Sequence, residues 1–189
     1  MELREEILVG TMRVFNIKGL KFTMDDLARE LGISKKTIYT VFDNKEDMFL
    51  ALVDYLFDGI KEEEAKVMTD PNLSTVDRIR KILGVMPASY RDLDLGQLYL
   101  LKDKYPKIYA KVEERLESGW ENTISLIETG QKEGVIRPIH IPILKMMLEA
   151  SLEQFFRRDI LIKNKITYQT ALDEVVGILV DGILTGQTH

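Results

Sequence analysis

Residues 23–45, TMDDLARELGISKKTIYTVFDNK, limit the fold of this chain more than any other stretch. Thr23 is an N-cap residue with Asp26 three positions on, a capping-box variant. Leu27, Ala28 and Leu31 then share one face, and Gly32 ends the helix after about two turns. Ser34 caps a second short helix, expected over about residues 35–42. Asn44 caps a third, with Glu46 and Asp47 in its first turn, where the helix dipole favours anions. A preceding helix is expected from Glu2 to Asn16, with Leu3, Ile7, Thr11, Val14 and Phe15 inward and Lys18-Gly19 as its stop. Helices this short are marginal alone and persist only when docked on one another. Phe15, Phe22, Leu27, Leu31, Ile33, Ile38, Phe42 and Phe49 supply the shared core. With the three-residue turn Gly32-Ile33-Ser34, the spacing is that of a helix-turn-helix.

The rest of the chain continues in the same class. No alternating β-branched run and no two-residue hairpin signal occurs, so the expected fold is all-α. A small three-helix domain (1–47) is followed by a larger helical ligand-binding and dimerisation domain (48–189). All five prolines lie beyond residue 70 and punctuate only that second part. Ser74 and Asp77 form another capping box before STVDRIRKIL. Further helices are expected over about 88–103, 107–131, 142–161 and 167–185, with KEGVIRP as a loop.

Composition narrows the function. The chain has no cysteine, which removes disulfides and thiolate metal sites, and only two histidines, His140 and His189. No metal site and no cofactor are expected, and no phosphate loop or nucleophile–histidine pair points to an enzyme. His140, beside prolines at an expected helix start, suits a solvated or capping role. No apolar run reaches the roughly 20 residues of a membrane helix. MELREEILVG places acids where a signal peptide has bases, so a cytoplasmic protein is expected.

With 31 acids against 26 bases the net charge is −5. That argues against general nucleic-acid binding but not against a local basic face. Leu31 to Phe42 contains no acid. On a helical wheel Ile38, Val41 and Phe42 turn to the core. Lys36 and Thr40 point away, Thr37 and Tyr39 flank them, and Lys35 sits near the core edge, in reach of phosphate or water. Every member of that outer face can donate a hydrogen bond, as a recognition helix in the major groove requires. Lysine can donate to guanine O6 and N7, and a threonine methyl can pack on the thymine methyl. Thr23 and Lys45, at helix starts on either side, suit phosphate contacts.

These segments resemble the DNA-binding domain of TetR-family transcriptional regulators. The likeness lies in TMDDLARELGIS, KKTIYTVF and NKEDMF, with IL and VF on the first helix, over about residues 7–49. It implies that Thr23, Thr37, Tyr39 and Lys45 occupy DNA-contacting positions, Tyr39 and Lys45 on phosphate. Gly10 and Thr11 stand where the family has small alanines, the Gly19–Thr23 loop is a residue shorter than is common, and Lys36 stands where glycine is frequent.

The last two helices, PILKMMLEASLEQFF and ALDEVVGILVDGIL, are apolar almost all round and need to bury a second face. A self-complementary face gives a two-fold dimer, and the resemblance implies a homodimer through these helices, binding a palindromic double-stranded DNA operator. It also implies a small, often apolar effector in the larger domain. Met86, Tyr90, Tyr99, Trp120, Met146, Met147, Phe155 and Phe156 are the candidate pocket residues. The leading expectation is a repressor released by such a ligand. The alternatives are a DNA-binding adaptor whose larger domain recruits a protein and, more remotely, a small helical enzyme.

Overall fold

The helices that start at residues 24, 35, 45, 75 and 168 follow side-chain caps. In the computed structural model, which describes residues 2–90 and 100–186, α1 (Leu3–Lys18) leads through a 3-10 turn, Gly19–Lys21, into α2 (Met24–Leu31), α3 (Lys35–Tyr39) and α4 (Lys45–Thr69). Thr23 Oγ1 accepts from Asp26 N at 3.2 Å, and the Asp26 carboxylate accepts from Thr23 N at 2.8 Å, completing the capping box. Ser34 Oγ accepts from Thr37 N, and Asn44 Oδ1 from Asp47 N. Gly32 closes α2 in the left-handed conformation, with φ of 65°.

The short helices dock closely. A Cβ added at Gly10 of α1 would lie 2.5 Å from Leu31 Cδ2 of α2, so the glycine permits the approach of the two helices. Beside it, the buried Thr11 hydroxyl donates to Ile7 O at 2.8 Å. Phe22, Leu27, Ile38 and Phe42 are buried between the helices, with Leu31 and Ile33 partly buried. Two expectations change here. Leu3 is exposed rather than inward, because the core begins a turn later at Ile7. The second helix of the pair stops at Tyr39, and Val41 and Phe42 reach the core from the turn that follows.

The body comprises α5 (Thr75–Leu83), α6 (Leu101–Lys104), α7 (Pro106–Glu117), α8 (Glu121–Lys132), α9 (Ile141–Arg157), α10 (Ile160–Asn164) and α11 (Tyr168–Ile183). The Ser74–Asp77 capping box forms as expected. The expected helix over 107–131 is two helices, broken at Ser118-Gly119, where Gly119 has φ of 73°. The expected helix over 142–161 divides too, because Arg158 is extended and α10 starts afresh at Ile160, after Asp159. Most of the expected 88–103 helix lies outside the described residues; the described ends are a 3-10 turn, Ala88–Tyr90, and α6.

Among the described residues there is no strand, only an isolated bridge between Ile136 and Leu184. It ties the 135–137 connection to the end of α11, with Arg137 N donating to Ile183 O at 2.9 Å. The architecture is therefore all-α. α4 crosses the expected boundary at residues 47 and 48 and is held to α7 by ion pairs: Arg115 to Asp54 and Asp58, and Lys107 to Glu46 in its first turn. The buried core runs without interruption from Ile7 to Ile183. No helix among the described residues is long and apolar enough to cross a membrane.

Candidate nucleic-acid interface and effector cavity

Two features stand out: an exposed donor face on α3 and an apolar cavity beneath the head. α3 is held by Ile38, which is fully buried, leaving Lys36, Tyr39 and Thr40 exposed and Thr37 on the flank. Lys36 has no ion-pair partner among the described residues. The threonines are locally ordered: Thr37 Oγ1 lies 2.8 Å from Ser34 Oγ, and Thr40 Oγ1 donates to Thr37 O at 2.6 Å. Thr40 and Tyr39, 47 % exposed, remain on the surface, and Thr37 is half-buried.

The other lysines differ from the wheel reading. Lys35, expected near the core edge and reaching phosphate or water, is paired with Asp25 of α2 at 2.9 Å. That pairing, chiefly the hydrogen bond, raises the lysine's pKa. Lys45 is turned inward. Its ammonium donates to Leu20 O at 2.9 Å and to Phe22 O, and it lies 4.1 Å from the Phe22 ring centroid and 5.5 Å from that of Phe49. Burial lowers its pKa. Thr23 is exposed, but its hydroxyl is engaged with Asp26. That carboxylate also accepts from Lys18 at 2.5 Å, and the lysine hydrogen bond is the largest cause holding Asp26 well below the usual carboxylate range.

The cavity measures about 200 Å³. α4, α5, α7, α8, α9 and α11 form its walls, and Met12 and Phe15 of α1 with Leu20 of the 3-10 turn close its head end. Of the residues expected to line a pocket, Met86, Tyr90, Trp120 and Phe156 do so. Met146 and Met147 do not: they are 55 % and 49 % exposed on the outer side of α9. The reason is the α9 stripe, in which Leu144, Leu148, Leu152 and Phe156 face inward, placing the two methionines on the opposite side. Phe155 stands outside the lining, edge-on to Tyr168 at 5.9 Å. Tyr99 lies outside the described residues. Sequence reasoning missed the head contribution, and also Phe49, Phe57 and Tyr168. A helical wheel cannot assign them, because each side chain's destination depends on elements distant in the chain.

The few polar groups at the cavity are arranged asymmetrically. Glu64, only 6 % exposed, receives Lys61 through both carboxylate oxygens at 2.8 Å, and Lys61 also donates to Gly119 O at 2.6 Å. Trp120 is anchored by its indole N–H donating to Leu116 O at 2.9 Å. Tyr90 donates weakly to Tyr55 O at 3.4 Å, and burial pushes its hydroxyl up to about 12. Burial pushes Tyr168 up as well. An apolar cavity with a few fixed donors and one part-buried ion pair is suited to holding a largely apolar molecule of modest size. His140 is exposed at the start of α9 and makes no side-chain capping bond.

Outside the cavity, α9 and α11 pack on each other and leave a second apolar surface. Ile143, Met146 and Met147 form an exposed stripe on α9, and Ile178 of α11 is 74 % exposed.

Comparison with known proteins agrees with this geometry. Residues 7–52 match the family model described as bacterial regulatory proteins, tetR family. The chain is 26% identical over 179 residues to the uncharacterized HTH-type transcriptional regulator YvaF of Bacillus subtilis (strain 168), covering 95% of this chain and 94% of that protein. It is also 26% identical over 173 residues to the nucleoid occlusion factor SlmA of Vibrio cholerae, covering 82% and 85% of the two chains. Among solved structures, a TetR transcription regulator from Haloarcula marismortui superposes with a TM-score of 0.73 at 19% identity, over 96% of this chain and 98% of that one. The regulator FadR from Bacillus subtilis, in complex with stearoyl-CoA, does so with a TM-score of 0.64 at 17% identity, over 95% and 98%.

Proposed function

We propose that the chain, whose residues 7–52 match the tetR family of bacterial regulatory proteins, is a dimeric, ligand-responsive repressor of the cytoplasm. The observation that carries this is the acid-free donor face of α3, presented on a helix whose inner side is locked by Ile38 and whose start is capped by Ser34. Lys36 reads a base edge, the Thr37 and Thr40 methyls add apolar contacts, and Tyr39 and the α2 start at Thr23 meet phosphate. Lys35 joins these contacts after exchanging Asp25 for phosphate, whereas Lys45 stays seated on Leu20 O and Phe22 O and holds the start of α4 in place. The exposed stripe of α9 with Ile178 supports pairing of two copies, so that two α3 helices address the halves of a palindrome. The cavity supports an apolar effector, and the stearoyl-CoA bound by the FadR neighbour supplies a first compound to try.

The test has two parts. Selection of bound sequences from a random duplex library should recover a palindrome, with affinity falling as salt rises, and Lys36→Ala should relax base preference at one position in each half. Absence of any preference over random duplexes would sink the reading. Stearoyl-CoA should shift the emission of Trp120, the single tryptophan, and release the duplex. A second reading, an adaptor that recruits a protein, draws on the similarity to SlmA and on exposed Ile160, Ile162 and Ile166 around α10. The apolar lining of the cavity favours the small-molecule reading.

A further inference from the structure

The DNA-facing head is itself one wall of the cavity. Leu20, 4 % exposed in the 3-10 turn between α1 and α2, places its side chain against the cavity, while its carbonyl accepts from the Lys45 ammonium. Phe49 makes the same double contact: its ring lines the cavity and lies under the same ammonium. The other acceptor is Phe22 O, one residue before Thr23, which starts α2. Lys45 is the first residue of α4. One ammonium therefore fastens the start of α4 to the connection that positions α2 and α3, and two parts of its seat are also cavity wall.

We propose that Leu20 and Lys45 form a latch through which cavity occupancy controls the head: a ligand that displaces Leu20 and Phe49 withdraws the carbonyl and ring that hold Lys45. Free of its seat, Lys45 no longer fixes α4 against the Gly19–Thr23 connection, and the α2–α3 pair loses the position from which it meets DNA. The ligand need not act first through the body, because the floor it presses on is already part of the head. Packed walls of this kind pass small displacements on rather than absorbing them. The effector half of this proposal rests on the repressor reading above; the latch itself does not.

The experiment uses the full chain and reads Lys45 acetylation by the N-hydroxysuccinimide ester of acetic acid, by mass spectrometry, with exposed Lys36 as the internal reference. Leu20→Ala keeps the main-chain acceptor but removes the packing that holds it in place, so without ligand it should raise the Lys45 to Lys36 ratio roughly tenfold as the carbonyl moves out of the ammonium's reach. Leu20→Val should raise it by less and serves if the alanine variant does not fold. Leu144→Ala, an equal deletion in the α9 core away from the cavity, should leave the ratio within about twofold. Equal ratios in the Leu20 and Leu144 variants overturn the latch. Stearoyl-CoA should then raise the ratio in the wild type and weaken duplex binding, whereas in Leu20→Ala it should still shift Trp120 emission without a further change in the ratio. Duplex release with an unmoved ratio also overturns the proposal. If Trp120 emission never responds, that ligand is lost from the effector reading while the ligand-free comparison still decides the latch.

Discussion

Asp26 shows how much one side chain carries in the head. It closes the capping box of α2 and accepts from Lys18 at the end of α1, so a single carboxylate joins two helices. Its pKa lies below the unfolded value, and the sign follows: its stabilising contribution is complete above the ordinary carboxylate pKa of about 3.9 and is lost as pH falls through its own lower value. Asp77 repeats the pattern in α5, held down chiefly by the Ser74 hydroxyl. Thermal melts followed by circular dichroism should show Tm falling as pH drops from about 5 towards 2. Asp26→Asn should lower Tm at neutral pH and flatten that acid limb. An unchanged slope in the variant would show that other carboxylates dominate. This residue was legible from sequence, because Thr23 and Asp26 are close in the chain and capping is local chemistry. Lys45 was not: its place at a helix start is local information, but the carbonyls that hold it belong to residues 20 and 22.

At the scale of elements, half-exposed Lys61 paired with buried Glu64 fixes where α4 meets the break between α7 and α8. Gly119 serves that contact twice, by adopting positive φ and by leaving room for Lys61 Cε, which a Cβ would approach to 2.7 Å. A buried pair is most costly when only one partner is removed. Lys61→Met should therefore cost about 3 kcal/mol by leaving Glu64 buried and unpaired, whereas Lys61→Met with Glu64→Leu should recover most of that loss. Urea denaturation at constant m-value checks both, and equal losses in the two would refute the burial argument. The breaks in the body escaped sequence reading for a related reason. Nothing in LESGWE or FRRDIL outweighs helical periodicity locally; the bend at Gly119 is stabilised by a lysine from α4. Helix identity was legible wherever a cap wrote it, and helix division was not.

For the whole molecule, the α9 stripe and Ile178 are the surface a second copy would cover. Ile178→Glu places a charge at the centre of that surface and should yield a monomer by sedimentation velocity, with palindrome affinity falling by roughly 100-fold as the advantage of linked sites is lost. A dimer that survives the substitution would place the interface elsewhere. The apolarity of these two helices was visible in the sequence; the division between cavity wall and outer face became visible only once α9 and α11 were packed. The exposed face of α3 has one more consequence, for the approach to DNA. Residues 1–47 hold eight bases and nine acids, while residues 48–189 hold eighteen bases and twenty-two acids. On the proposed reading a duplex therefore repels the body more than the head, so collisions in the wrong orientation separate quickly and those that persist begin with α3 towards the groove.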